Sequence, residues 1–161
     1  MRSLEDLATL WKRELADPDP GPLQPMLAAS RFAAVVDAFH EQVLAPFEIG
    51  RGEYEVLSAL RRAGAPHRAS PSALMRAVGC SSAGIAKRSK KLEAAGFVER
   101  SSDPEDGRGA LITLSRRGLE LQERIFRAHL SAMESRLEGL DEAERRELAD
   151  TLWRLAGLVE R

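Results

Sequence analysis

Apolar residues recur at helical spacing along most of the chain, with one interval whose composition is that of short strands. Leu4, Leu7, Leu10, Trp11 and Leu15 predict a short amphipathic helix. The segment Asp17-Pro18-Asp19-Pro20-Gly21-Pro22 ends it, because proline lacks an amide hydrogen and restricts the residue before it. From about Pro25 to Ala45, the spacing of Phe32, Val35, Val36, Phe39, Val43 and Leu44 predicts a longer helix. Tyr54, Leu57 and Leu60 mark a third, ending near Gly64. Ser70-Pro71 is a helix start, a capping hydroxyl followed by proline at the first helical position. The helix it opens carries Leu74, Met75 and Val78 and stops at Gly79. Ser115 caps a long helix with Leu119, Phe126, Leu130, Met133 and Leu137, broken by Gly139. Asp141 and Glu144 have capping-box spacing and open a last helix bearing Leu148, Leu152, Leu155 and Val159.

The interval from Ser81 to Leu114 is read as a helix, a strand, a turn and a second strand. At about 100° per residue, Ile85, Ser89 and Leu92 share one helix face, and Gly84, Lys87, Arg88 and Lys91 form a second, positive face. Gly96 stops the helix. Phe97–Ser101 and Ala110–Leu114 have strand composition, and Asp103 to Gly109 make a polar turn with Arg108 near its tip. A helix that docks on one side and carries cations on the other suits duplex DNA. It can enter a major groove about 12 Å wide while an arginine on the hairpin reaches the adjacent narrow minor groove. The expected fold is therefore mainly α with a small β-hairpin wing: a winged helix-turn-helix domain plus a helical dimerisation region from both termini. The candidate DNA contacts are Ser81, Ser82, Gly84, Lys87, Arg88, Lys91 and Arg108. Ser70 and Ser72 suit phosphate binding and capping equally well.

Charge sharpens this picture. Lys and Arg number 24 against 25 Asp and Glu, a net charge of −1, so a DNA binder of this composition must concentrate its cations. It does so at Lys87, Arg88, Lys90 and Lys91, and the acidic remainder keeps sequence-independent DNA affinity modest. With 161 residues, 43% of them hydrophobic, the chain can bury one good core. The apolar stripes of the two C-terminal helices find nothing left to cover in the DNA-binding core. They predict a homodimer whose recognition helices sit about one DNA turn apart on a palindrome. The expected organisation is one chain, 1–161, in which an extra N-terminal helix and Pro-rich loop occupy 1–24. Dimerisation helices take 25–50 and 116–161, and the winged helix-turn-helix takes 51–115. No apolar run of membrane-spanning length and no signal-type core is present, so a cytoplasmic protein without a membrane partner is expected.

These marks, taken in order, resemble the MarR family of transcriptional regulators from about Arg31 onward. The matching stretches are Ser81-Ser82-Ala83-Gly84, Leu92 to Arg100, Asp103 to Arg108, and Leu114-Ser115-Arg116-Arg117-Gly118. The family's wing usually carries two consecutive arginines; here Gly107 replaces the first and leaves Arg108 alone. Within the family the chain looks most like the urate-responsive branch, which adds an N-terminal helix. The resemblance implies a ligand site made of Trp11 from that helix, Glu55 from the third helix, Arg88 from the recognition helix, and Arg100. The acid is usually aspartate, so Glu55 adds a methylene that bears on pocket size. Arg88 borders the docked and exposed faces, so it can address a buried anion or DNA. The implied activity is a repressor that leaves its operator when a small anionic effector such as urate or another purine binds. The alternatives are an effector-independent or redox-sensing regulator of the same fold, or a non-specific nucleoid-type DNA binder.

The remaining chemistry is sparse. No nucleophile–base signature, phosphate loop or metal set occurs, so neither enzymatic activity nor a cofactor nor a metal is expected. His40, His67 and His129 lack metal-ligand spacing and are assigned solvated or core roles. Cys80 is the sole cysteine, which excludes an intrachain disulfide. It is read as a small buried residue rather than a redox trigger, and Trp11 as favouring a packed N-terminal helix.

Overall fold

The start and stop signals govern where the helices lie in the computed structural model, which describes residues 4–15, 19, 21–102 and 109–160. The order is α1 (Leu4–Glu14), α2 (Gln24–Leu44), α3 (Arg51–Arg62), β1 (Arg68–Ala69), α4 (Pro71–Val78), α5 (Ser82–Ala94), β2 (Val98–Ser102), β3 (Ala110–Leu114), α6 (Arg116–Arg136) and α7 (Glu142–Val159). Ser70 caps α4, its hydroxyl accepting from the Ala73 amide at 3.3 Å with Pro71 next in line. Gly79 closes that helix in the left-handed region, φ +68°, where a side chain would be strained. Gly96, at φ +73°, ends α5 in a Schellman arrangement: its amide donates to Glu93 O and the Phe97 amide to Leu92 O, each at 2.9 Å. The capping box at Asp141 and Glu144 is present in both directions.

Two compact units make up the chain, residues 1–39 with 135–161, and residues 40–134; the division falls within α2 and α6. The central unit holds the core. Val56, Leu57 and Leu60 of α3 are fully buried against Leu74 of α4, Ile85 and Leu92 of α5, Ile112 of β3 and Ile125 of α6. The sheet has the order β1-β3-β2, antiparallel throughout, with Val98 opposite Leu114 and Ser102 opposite Ala110. β2 begins one residue later than its composition suggested. β1 adds a third strand, pairing Arg68 with Thr113 and Ala69 with Ile112. Two residues carry no readable alternation, so this strand escapes a period-based reading.

Two of the histidines form a link between α2 and α6 that their spacing in the sequence does not announce. His40 and His129 form a hydrogen-bonded pair, Nδ1 to Nε2 at 3.0 Å, and Tyr54 stacks on His129 with ring centroids 5.0 Å apart. His129 Nδ1 lies 3.1 Å from the Ile125 carbonyl, which only accepts. His129 therefore carries its proton on Nδ1, and His40 Nδ1 donates to the free Nε2. Cys80 is half-buried at the edge of the core rather than fully enclosed.

In the terminal unit, Arg136 lies over the Phe39 ring at 4.6 Å and ties α6 to α2. Many of its apolar side chains remain at the surface: Phe32 (52% exposed), Leu148 (52%), Leu152 (41%) and Trp153 (78%). Trp11 is half exposed at 49%, where packing was expected.

Candidate nucleic-acid interface

α5 is positioned by its inner face. Ile85 (0% exposed), Ser89 (3%) and Leu92 (1%) point into the core, as their spacing requires, and fix the rotation of the helix about its axis. Lys87, Lys90 and Lys91 are thereby turned outward. Ser81 caps the helix, its hydroxyl accepting from the Gly84 amide at 3.2 Å, and Ser81 and Ser82 stand exposed at the positive end of the helix dipole. α4, the turn through Gly79 and Cys80, and α5 together make the helix-turn-helix. At the start of α4 the Ser70 and Ser72 hydroxyls hydrogen-bond each other at 3.0 Å. Ser70 is thus a cap, while Ser72 stays exposed beside it. Arg108 and the turn from Asp103 lie outside the described residues.

The four cations of α5 separate into two kinds. Lys87 and Lys90 are exposed and make no ion pair among the described residues. Arg88 and Lys91 both meet carboxylates of the first turns of α3. Arg88 Nη1 lies 3.3 Å from Glu55 Oε2, with both side chains about one-third exposed, and Glu55 Oε1 also accepts from Arg51 Nε at 3.1 Å. Lys91 Nζ lies 3.2 Å from Glu53 Oε1; the lysine is 61% exposed, the glutamate only 16%. The Arg88 guanidinium fits against α3 because Gly52 has no side chain: a Cβ there would overlap Nε and Cζ.

Of the four residues implied as a ligand site, the fold brings Glu55 and Arg88 together. Arg100 is exposed on β2, opposite Ile112, and joins neither of them. Trp11 belongs to α1 in the terminal unit. Beside Glu55 a groove of about 760 Å³ opens, lined by Tyr54, Ser58, Arg62, Phe126, Arg127 and Leu130 among others. The Ser58 hydroxyl is buried there without a hydrogen-bond partner. On its rim, the hydrogen bond from Arg127 and the charge of that arginine hold the Glu123 carboxyl below its ordinary range.

Sequence reasoning missed Glu53, Gly50 and Gly52. Glu53 is separated from Lys91 by 38 positions, and only the packing of α3 on α5 joins them. The readable signal was Gly52 in the first turn of a helix, where glycine costs helix propensity and so calls for a steric reason.

Comparison with known proteins agrees with this geometry. Residues 49–109 match the model of the MarR family. The chain is 28% identical over 152 residues to the HTH-type transcriptional regulator PecS of Dickeya dadantii (strain 3937), covering 94% of this chain and 92% of that one. Among solved structures it is similar to Bordetella bronchiseptica BpsR, described with a mechanism for regulation of DNA binding by 6-hydroxynicotinic acid (TM-score 0.73, 24% identity, 87% of this chain and 98% of that one). It is also similar to a cysteine-to-serine mutant of MarR from E. coli complexed with operator DNA (TM-score 0.69, 20% identity, 83% and 96%). The helix-turn-helix of α4 and α5 and the strand β2 fall within residues 49–109, so this segment of the chain is similar to the MarR family of winged helix-turn-helix transcriptional regulators.

Proposed function

We propose that the protein is a repressor that binds a palindromic operator as a homodimer and leaves it when a small, planar, anionic effector binds. The observation that carries the DNA half is the rotation of α5, with Ile85, Ser89 and Leu92 inside and the lysines outside. In a major groove this orientation puts Lys87 against phosphate or a guanine edge, and Ser81 and Ser82 against backbone phosphate. The exposed apolar side chains of α7, Leu148, Leu152 and Trp153, supply the face on which a second copy closes a two-fold dimer. The similar MarR structure complexed with operator DNA supports DNA binding by this fold.

The effector half rests on the Glu55–Arg88 pair. Arg88 has one foot in the recognition helix and the other in a part-buried ion pair beside an open groove. A planar heterocycle such as urate offers acceptors to the guanidinium and N–H donors to the carboxylate, matching both partners at once. Its binding would reseat Arg88 and shift the neighbouring lysines, which gives the differential interaction that release from DNA requires. BpsR, whose DNA binding is linked to 6-hydroxynicotinic acid, supports an effector of this planar anionic class.

Binding to a duplex drawn from the DNA flanking the gene tests the first half. Lys87→Ala is expected to lower the salt slope of binding by about one, and Arg108→Ala to weaken operator binding markedly; if neither changes binding, the docking is wrong. Calorimetry with urate and related purines tests the second half. Heat of binding together with release of the duplex is expected. No heat and no release with any of them removes the effector.

A further inference from the structure

On the DNA-binding reading above, we infer that Glu53 is a built-in counter-ion of the recognition helix: it holds Lys91 back from sequence-independent phosphate contact and so sets how much of the protein's DNA affinity is specific. Lys91 stands one helical turn beyond Lys87 on the outward side of α5, where a phosphate backbone would pass. Its ammonium is occupied by Glu53 Oε1 at 3.2 Å. The carboxylate is not a loose surface partner. It is only 16% exposed, whereas the lysine is 61% exposed, so the acid is fixed and the lysine is the member that moves. Its second oxygen is folded over Gly50, the residue before α3, where any Cβ would collide with Oε2. It sits in the first turn of α3, where the helix dipole favours a negative charge. Glu53 is thus seated by one element while its charge is spent on another.

The consequence is electrostatic. Each lysine that reaches a phosphate releases condensed counter-ions and adds to affinity on any sequence. Holding Lys91 against Glu53 removes one such contact from the encounter with random DNA. Lys87 and Lys90 remain available, because neither has an ion-pair partner among the described residues. On a matched operator, base contacts compensate for the cost of drawing Lys91 away. On random duplex nothing does, and discrimination rises.

The test compares wild type, Glu53→Gln, Lys91→Gln and the double variant on two duplexes, one from the DNA flanking the gene and one of random sequence, across a salt titration. Glutamine keeps the shape of the acid and an oxygen over Gly50, so the fold is retained, and a thermal melt checks this. Glu53→Gln is expected to steepen the salt slope on random duplex by about one and to tighten binding there about threefold at low salt, with a smaller gain on the operator. In the Lys91→Gln background the same change is expected to do nothing, because the effect runs through Lys91. An unchanged slope in Glu53→Gln, a weaker binder, or a gain that persists without Lys91 overturns the inference while leaving the DNA-binding reading in place. Wild type failing to bind either duplex overturns both.

Discussion

Gly52 shows how one missing side chain sets the chemistry of its neighbours. Its bare backbone lets Arg88 lie against α3 and reach Glu55. Gly52→Ala displaces only the flexible end of an arginine, so stability is expected to change by less than about 1 kcal/mol. Release of the operator by urate, however, should be lost, as in Arg88→Gln; a normal response in Gly52→Ala would show that the Arg88 seat plays no part in signalling. Leu60 behaves oppositely. It is fully buried in the central core, so Leu60→Ala leaves a cavity that the packed core cannot close, with an expected loss of about 2–5 kcal/mol by urea unfolding. The His40–His129 pair is a polar link of intermediate weight. Removing the His129 ring takes away two hydrogen bonds and the Tyr54 stack, so His129→Ala should cost about 2 kcal/mol or more on the same measurement. A loss under half of that would mean water satisfies His40 equally well.

At the level of elements, helix ends are encoded locally and their packing is not. Ser70-Pro71, Ser81, Gly79, Gly96 and the Asp141–Glu144 box all sit where their sequence signals place them, because a cap needs only residues within one turn. Asp141→Ala should therefore destabilise α7 by about 1 kcal/mol, visible as a lower melting temperature. The buried face of α5 was legible for the same reason: Ile85, Ser89 and Leu92 are periodic. What could not be read was which residues meet across elements. Lys87, Arg88 and Lys91 looked alike as one positive face, yet two of them end on α3 carboxylates and one does not. That distinction depends on the distance and crossing of α3 and α5, which no residue-by-residue pattern contains. β1 was too short to carry a period, and the histidine pair joins positions 40 and 129, beyond the reach of spacing rules.

At the level of the molecule, the surface left by each unit points to use in pairs. α7 is capped, regular and apolar along Leu148, Leu152 and Val159, yet these side chains are 41–57% exposed. Burying such a stripe against its symmetry mate is the simplest way to remove it from water, at about 25 cal/mol per Å². The central unit meanwhile presents a single recognition helix with a net excess of outward lysines on a chain whose net charge is only −1. One such helix reads too few base pairs for an operator to be found among random sequence, and two on the same side of a duplex suffice. Hydroxyl-radical footprinting on the DNA flanking the gene tests this pairing most directly. Two protected patches are expected, centred about one helical turn apart on one side of the duplex and related by two-fold symmetry. A single protected patch, or even protection along the whole fragment, would contradict it.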